Sequence, residues 1–162
     1  MRFNSRCRAG VIGSCWGLAA VMWITLVDIS PVSAAEVPAV RVVDAWIRWL
    51  PAGLPAAGYA TLVNVGDRPV TLIGASSPDY GDVSLHQSRN QGGTEEMVPV
   101  ERITVAAHSS LSFAAMGYHM MLMQPARPLK PGDRAPITLR FAGASPLTIE
   151  FDVRKPGSSA AE

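Results

Sequence analysis

"HMMLMQ", His119 to Gln124, is the stretch whose reading decides the fold. On a strand, residues two apart share a face, so His119, Met121 and Met123 would stand on one side and Met120 and Leu122 on the other. On a helix the same positions would diverge. Strand or helix therefore settles both the architecture and whether His119 and Met121 can act as a pair.

The rest of the chain favours strands. "RVVDAWIRW" (41–49), "GYATLVNV" (58–65), "VTLIGAS" (70–76), "DVSLHQS" (82–88), "EMVPVERITV" (96–105), "SSLSFAAM" (109–116), "APITLRFA" (135–142) and "LTIEFDV" (147–153) are β-branched or alternate apolar and polar residues. Turn-forming clusters such as "PAGLPAAG", "NVGDRP", "NQGG" and "RPLKPGD" separate them. No apolar 3.6-residue period runs for ten residues without a Gly or Pro. The expected fold is a single all-β domain, an antiparallel sandwich or barrel of about eight or nine short strands. Residues 35–155 are expected to form it, with 156–162 as a disordered polar tail.

The N-terminus reads differently. Arg2, Arg6 and Arg8 precede an uncharged, largely apolar run from Ala9 to Val27, and Val32 and Ala34 offer a small-residue cleavage pattern. Residues 1–34 are expected to be a signal peptide, with the mature chain starting near Ala35 or Glu36. An uncleaved anchor is the competing reading, since the run approaches the minimum for a span, but Pro31 and the cleavage pattern weigh against it. Either way the domain is exported.

Composition removes whole classes of function. Both cysteines, Cys7 and Cys15, lie in the leader, so the mature chain has no disulfide, no dithiol chemistry and no thiolate ligand. With three of the 14 basic and one of the 13 acidic residues in the leader, 11 and 12 remain, a net of −1. That balance, without a basic run, gives no footprint for nucleic acid. No "GxSxG" or "HExxH" marks a hydrolase, and a blue-copper electron-transfer site would need a cysteine beside two histidines. The chain is not expected to be an enzyme.

The donor set that remains is neutral and soft. "DVSLHQ" puts Val83 and Leu85 on one face and Ser84 and His86 on the other, so His86 stands on the polar side of its strand. Met97 follows Glu95 and Glu96 after a loop, "RNQGG", that is expected to be flexible. Two histidines and two methionines suit Cu(I), while zinc would ordinarily recruit cysteine or carboxylate. Thioethers need no deprotonation and cannot form disulfides in an oxidising compartment. Taken singly, each residue has a plainer reading as core methionine or bystander histidine. His108 in "AAHSS" is read as such a turn residue, Trp46 and Trp49 as packing, and Asp44 and Arg48 as surface or strand-end contacts.

Their joint spacing resembles one family. Ten residues separate His86 from Met97, twenty-one separate Met97 from His119, and Met121 completes His-x-Met. This is similar to the signature of the periplasmic copper chaperones written PCu(A)C. "VVDAWIRWLP", "AAGYATLVN" and "PLKPGDRAPITLRF" extend the resemblance over about Val40 to Val153. The resemblance implies a cupredoxin-like β domain and one Cu(I) per monomer held by His86, Met97, His119 and Met121. It also implies a periplasmic monomer that delivers copper to the copper A subunit of cytochrome c oxidase, or to another copper assembly protein, and meets the membrane only through that acceptor. In the chain, "QSRNQGGTEE" lacks the additional methionines common in that loop, and residues 154–162 carry no His or Met, so a single copper site is expected. An exported copper buffer, or an interaction domain in which these residues merely pack, are the alternatives.

Overall fold

The computed structural model describes residues 38–51 and 53–157, so the expected leader and most of the expected tail lie outside the described residues. Ten strands follow in order: β1 Val40–Arg48, β2 Ala56–Asn64, β3 Val70–Ser76, β4 Tyr80–Gln91, β5 Thr94–Pro99, β6 Ile103–Val105, β7 Ser109–Ser112, β8 Tyr118–Pro125, β9 Arg134–Phe141 and β10 Leu147–Arg154. They hydrogen-bond in the order β5-β4-β8-β2-β1-β10-β9-β3-β6, with β7 paired to the far half of β2. Within these pairings only β1 with β10 is parallel. The sheet folds over so that β3 packs against β4, and Ile47, Leu62, Leu72, Ile103, Met120, Leu122, Ile137, Leu139 and Phe151 fill the interior.

The strand reading of residues 119–124 holds. Met120 and Leu122 are buried in the core, while Met121 and Met123 on the other face are half-buried. Two expectations change. The segment 96–105, read as one strand, is parts of two: β5 pairs with β4 and β6 with β3, so the chain crosses there between opposite ends of the strand order. The expected flexible loop at "RNQGG" is instead a tight hairpin, with Gln91 opposite Thr94 and Gly92 and Gly93 at φ 65° and 88°. Those positive angles match a two-residue primed turn, which glycine adopts without steric cost.

Small residues in β2 bring β8 close. Gly58 lies opposite Met120, and a Cβ there would sit 3.2 Å from Leu122 Cδ1 and 3.3 Å from Met120 Cβ. At the other end of β2, Asn64 is 1% exposed and fully satisfied. Its Nδ2 donates to the carbonyls of Arg68, Val105 and Ala106, and its Oδ1 accepts from Gly66 N. This side chain ties the loops at that end together, replacing lost water contacts with backbone partners.

Candidate metal centre

Register alone gathers the four expected residues on one outward face. In antiparallel pairs, residues directly opposite share a face. His86 in β4 lies opposite His119 in β8, Ser84 lies opposite Met121, and Ser88 lies opposite Met97 in β5. Because Ser84, His86 and Ser88 alternate along β4, all four candidates stand on the side away from the core. The imidazole centroids of His86 and His119 are 5.9 Å apart with a 32° tilt.

Met97, His119 and Met121 line a cleft of about 350 Å³ together with Arg48 and Tyr59. His86 is not in that lining; it joins the others through its cross-strand pairing with His119. Exposure grades across the group. His119 is 5% exposed, His86 and Met121 are half-buried, and Met97 is 54% exposed.

The hydrogen bonds leave each histidine with one free ring nitrogen. His119 Nδ1 donates to the Gly117 carbonyl at 3.2 Å, which fixes the tautomer and leaves the Nε2 lone pair available. His86 Nε2 lies 3.1 Å from Ser84 Oγ, while its Nδ1 is buried without a partner. An orphaned buried N–H is rarer than an orphaned acceptor, so Nε2–H donates to Ser84 and Nδ1 keeps a bare lone pair. Desolvation lowers the His86 pKa below 6.5, His119 lowers it further, and Asp82 opposes the shift. A neutral imidazole is the form that ligates metal. Ser88 Oγ, beneath the Met97 pairing, is a second buried polar atom without a partner.

The charged side chain in the cleft lining is Arg48, and Arg154 nearby pairs with Asp152. Arg48 stacks 5.9 Å from the Tyr59 ring centroid, Tyr59 meets Trp46 at 4.7 Å, and Arg154 lies 5.7 Å from the Trp46 centroid. Burial raises the Tyr59 pKa above 10, with Arg48 opposing, so the phenol is uncharged at neutral pH. Among the described residues no three His, Cys, Asp or Glu side chains come together as a metal site. What the face offers is imidazole nitrogen and thioether sulfur, a set matched to a soft monovalent ion.

The remaining expectations divide. Trp46 packs as expected, though against Tyr59 on the outer face rather than in the core, and the Trp49 indole N–H donates to the Leu129 carbonyl at 2.6 Å. His108 is a turn residue at φ 51° bound to Asp67 at 2.8 Å, away from the cleft. Arg48, expected to make only surface or strand-end contacts, forms part of the cleft wall, because the register shift between Val43 and Trp46 resets which side of β1 faces outward. Met116 also lines the cleft and was not among the candidates; its nearness in sequence to His119 was the available signal.

The family model LpqE-like, described by its lipoprotein namesake, matches residues 40–153, from the start of β1 into β10. The copper-bound PCuAC domain from PmoF2 has a similar structure, with a TM-score of 0.62 and 28% identity over 75% of this chain and 97% of that domain. The chain belongs to the PCuAC family. This PCuAC fold also resembles the solution structure of CuI-DR1885 from Deinococcus radiodurans, with a TM-score of 0.56 and 29% identity over 78% of this chain and 84% of that one. In sequence, Lxx21020 of Leifsonia xyli subsp. xyli, named as a lipoprotein, is 30% identical over 71% of this PCuAC chain and 69% of its own length. RP573 of Rickettsia prowazekii is 31% identical over 53% of this chain and 48% of its own.

Proposed function

We propose that this PCuAC protein is an exported Cu(I) metallochaperone in which His86, Met97, His119 and Met121 hold one copper ion per monomer. The observation that carries the reading is the register. Three strands bring both histidines and both methionines onto one outward face, each histidine with an unused nitrogen, in a family with copper-bound members. Neutral donors compensate one positive charge more easily than two, and the Arg48 guanidinium in the wall adds a further cost to a dication. Both favour Cu(I) over Cu(II).

Copper is cargo here, and no covalent bond of a substrate changes. The ion enters and leaves by exchange of one soft donor for another. Met97, the most exposed of the four, is the donor an acceptor's own ligand can displace first. Loss of Met97 leaves the ion on the less exposed His119, His86 and Met121 until the acceptor completes its set. The leader expected at residues 1–34 and a relative named as a lipoprotein support a periplasmic location, and we take the protein to act as a monomer. Its acceptor is the copper A subunit of cytochrome c oxidase, or an intermediate assembly protein.

A titration with Cu(I) under reducing conditions against a colorimetric chelator, followed by mixing with an apo copper A fragment, tests both halves. One equivalent bound and then transferred is the expected result. Failure to bind removes the metal site, while tight binding without transfer replaces delivery by buffering.

A further inference from the structure

The turn before β8 hangs another sulfur over the same cleft. Gly117 N donates to the Ala114 carbonyl at 3.0 Å and Ala114 N donates to the Tyr118 carbonyl at 2.8 Å, so Ala115 and Met116 occupy the middle of a tight turn. The base of the turn is tied to the candidate ligands. The Gly117 carbonyl accepts from Ser88 N at 3.0 Å and from His119 Nδ1. Met116 is therefore held at a defined place beside the site, where its side chain lines the cleft with Met97, His119 and Met121.

Its exposure is what packing does not explain. Met116 is 71% exposed, and the other strongly exposed methionine among the described residues, Met97 at 54%, is on the same cleft. A thioether in water gains nothing from burial, and a turn position tolerates any polar residue without that cost. A soft donor at the rim has a use if the cleft handles a soft ion. Cu(I) accepts low and variable coordination, so it can move by bonding to a new sulfur before releasing an old one.

We propose that Met116 is a passage ligand, a thioether that binds Cu(I) during entry and exit and exchanges it with the four-residue set. This rests on the reading of the cleft as a Cu(I) site. At rest the ion is held by His86, Met97, His119 and Met121; in transit Met116 takes the place of Met97, so that the copper keeps a soft donor as the cleft empties.

The test is Met116→Leu, which keeps the apolar bulk on the turn and removes the sulfur. Cu(I) affinity is measured by competition, and the rate of transfer to bathocuproine disulfonate by stopped flow, in the wild-type protein, Met116→Leu and Met121→Leu. The proposal expects transfer from Met116→Leu to slow by roughly fivefold to tenfold, with affinity held within about twofold of wild type. An unchanged transfer rate overturns it. So does an affinity loss as large as the rate loss, which would make Met116 a resident ligand. Unaltered affinity in Met121→Leu would instead overturn the four-ligand reading beneath it, so the two failures are told apart.

Discussion

The two ends of strand β2 bury polar groups for opposite purposes. At one end Asn64 is sealed in, and both of its amide atoms meet backbone partners. At the other end, where β2 pairs with β8 beside Met121, His86 Nδ1 and Ser88 Oγ are buried without partners. A satisfied polar group stabilises the fold it sits in, whereas an unsatisfied one costs free energy until something supplies the missing bond. The Asn64 end is thus complete by itself, whereas the cleft end holds polar atoms without protein partners, of which the proposed Cu(I) would meet His86 Nδ1.

Separating the two ends by mutation gives the sharpest test. Asn64→Ala leaves the Arg68, Val105 and Ala106 carbonyls and the Gly66 N–H without this partner and should lower the free energy of unfolding by about 2–4 kcal/mol. Urea denaturation measures this, and the Cu(I) affinity of the protein that remains folded should be unchanged. Met121→Leu is the reciprocal case. It conserves volume, so stability should shift by less than about 1.5 kcal/mol, while Cu(I) affinity falls by roughly a hundredfold, equivalent to about 2.7 kcal/mol. If either variant moved both quantities together, the division between the ends would fail.

Acidity should sharpen the contrast further. In the apo protein, burial keeps the folded His86 pKa below 6.5, so on acidification the unfolded chain takes up this proton first. His86 carries no penalty above about pH 6.5, the ordinary histidine value. Stability is lost as pH falls from there through the lower folded value, and no further below it. Chemical denaturation of the apo protein between neutral and mildly acid pH checks this, with His86→Gln expected to flatten the decline. Saturating Cu(I) should raise the stability but carry the decline to lower pH, because the metal keeps the folded imidazole unprotonated while the unfolded chain still takes up its proton.

The smallest effect belongs to the third histidine. His108 and Asp67 form a 2.8 Å pair, but their side chains are 64% and 95% exposed. Exposed pairs contribute little. His108→Ala should change stability by less than about 0.5 kcal/mol and leave Cu(I) affinity alone, as thermal denaturation and competition titration would show.

How far the sequence anticipated this depends on the range of the interaction involved. The alternation in residues 119–124 and 83–86 was legible because a strand's two faces are set locally, and the structure places Met120, Leu122, Val83 and Leu85 in the core accordingly. The placement of Met97 was less so. Gly92-Gly93 reads equally as a loose loop or a primed hairpin, and only pairing between β4 and β5 decides that Met97 falls opposite Ser88. The split into β5 and β6 was signalled only by Pro99 and the charged pair Glu101-Arg102, and nothing local shows that Val98 serves β4 while Ile103 serves β3. The parallel pairing of β1 with β10 joins the ends of the domain and has no local signature. Arg48 and Met116 were missed for the same reason: each reaches the cleft through a feature of the backbone, a register shift in one case and a tight turn in the other.

X-ray absorption at the copper edge of the Cu(I)-loaded protein reads the donor set most directly. The four-residue site predicts a shell of two nitrogen and two sulfur donors, with one sulfur lost in Met121→Leu. A shell of nitrogen and oxygen alone, or one unaltered in that variant, would contradict it.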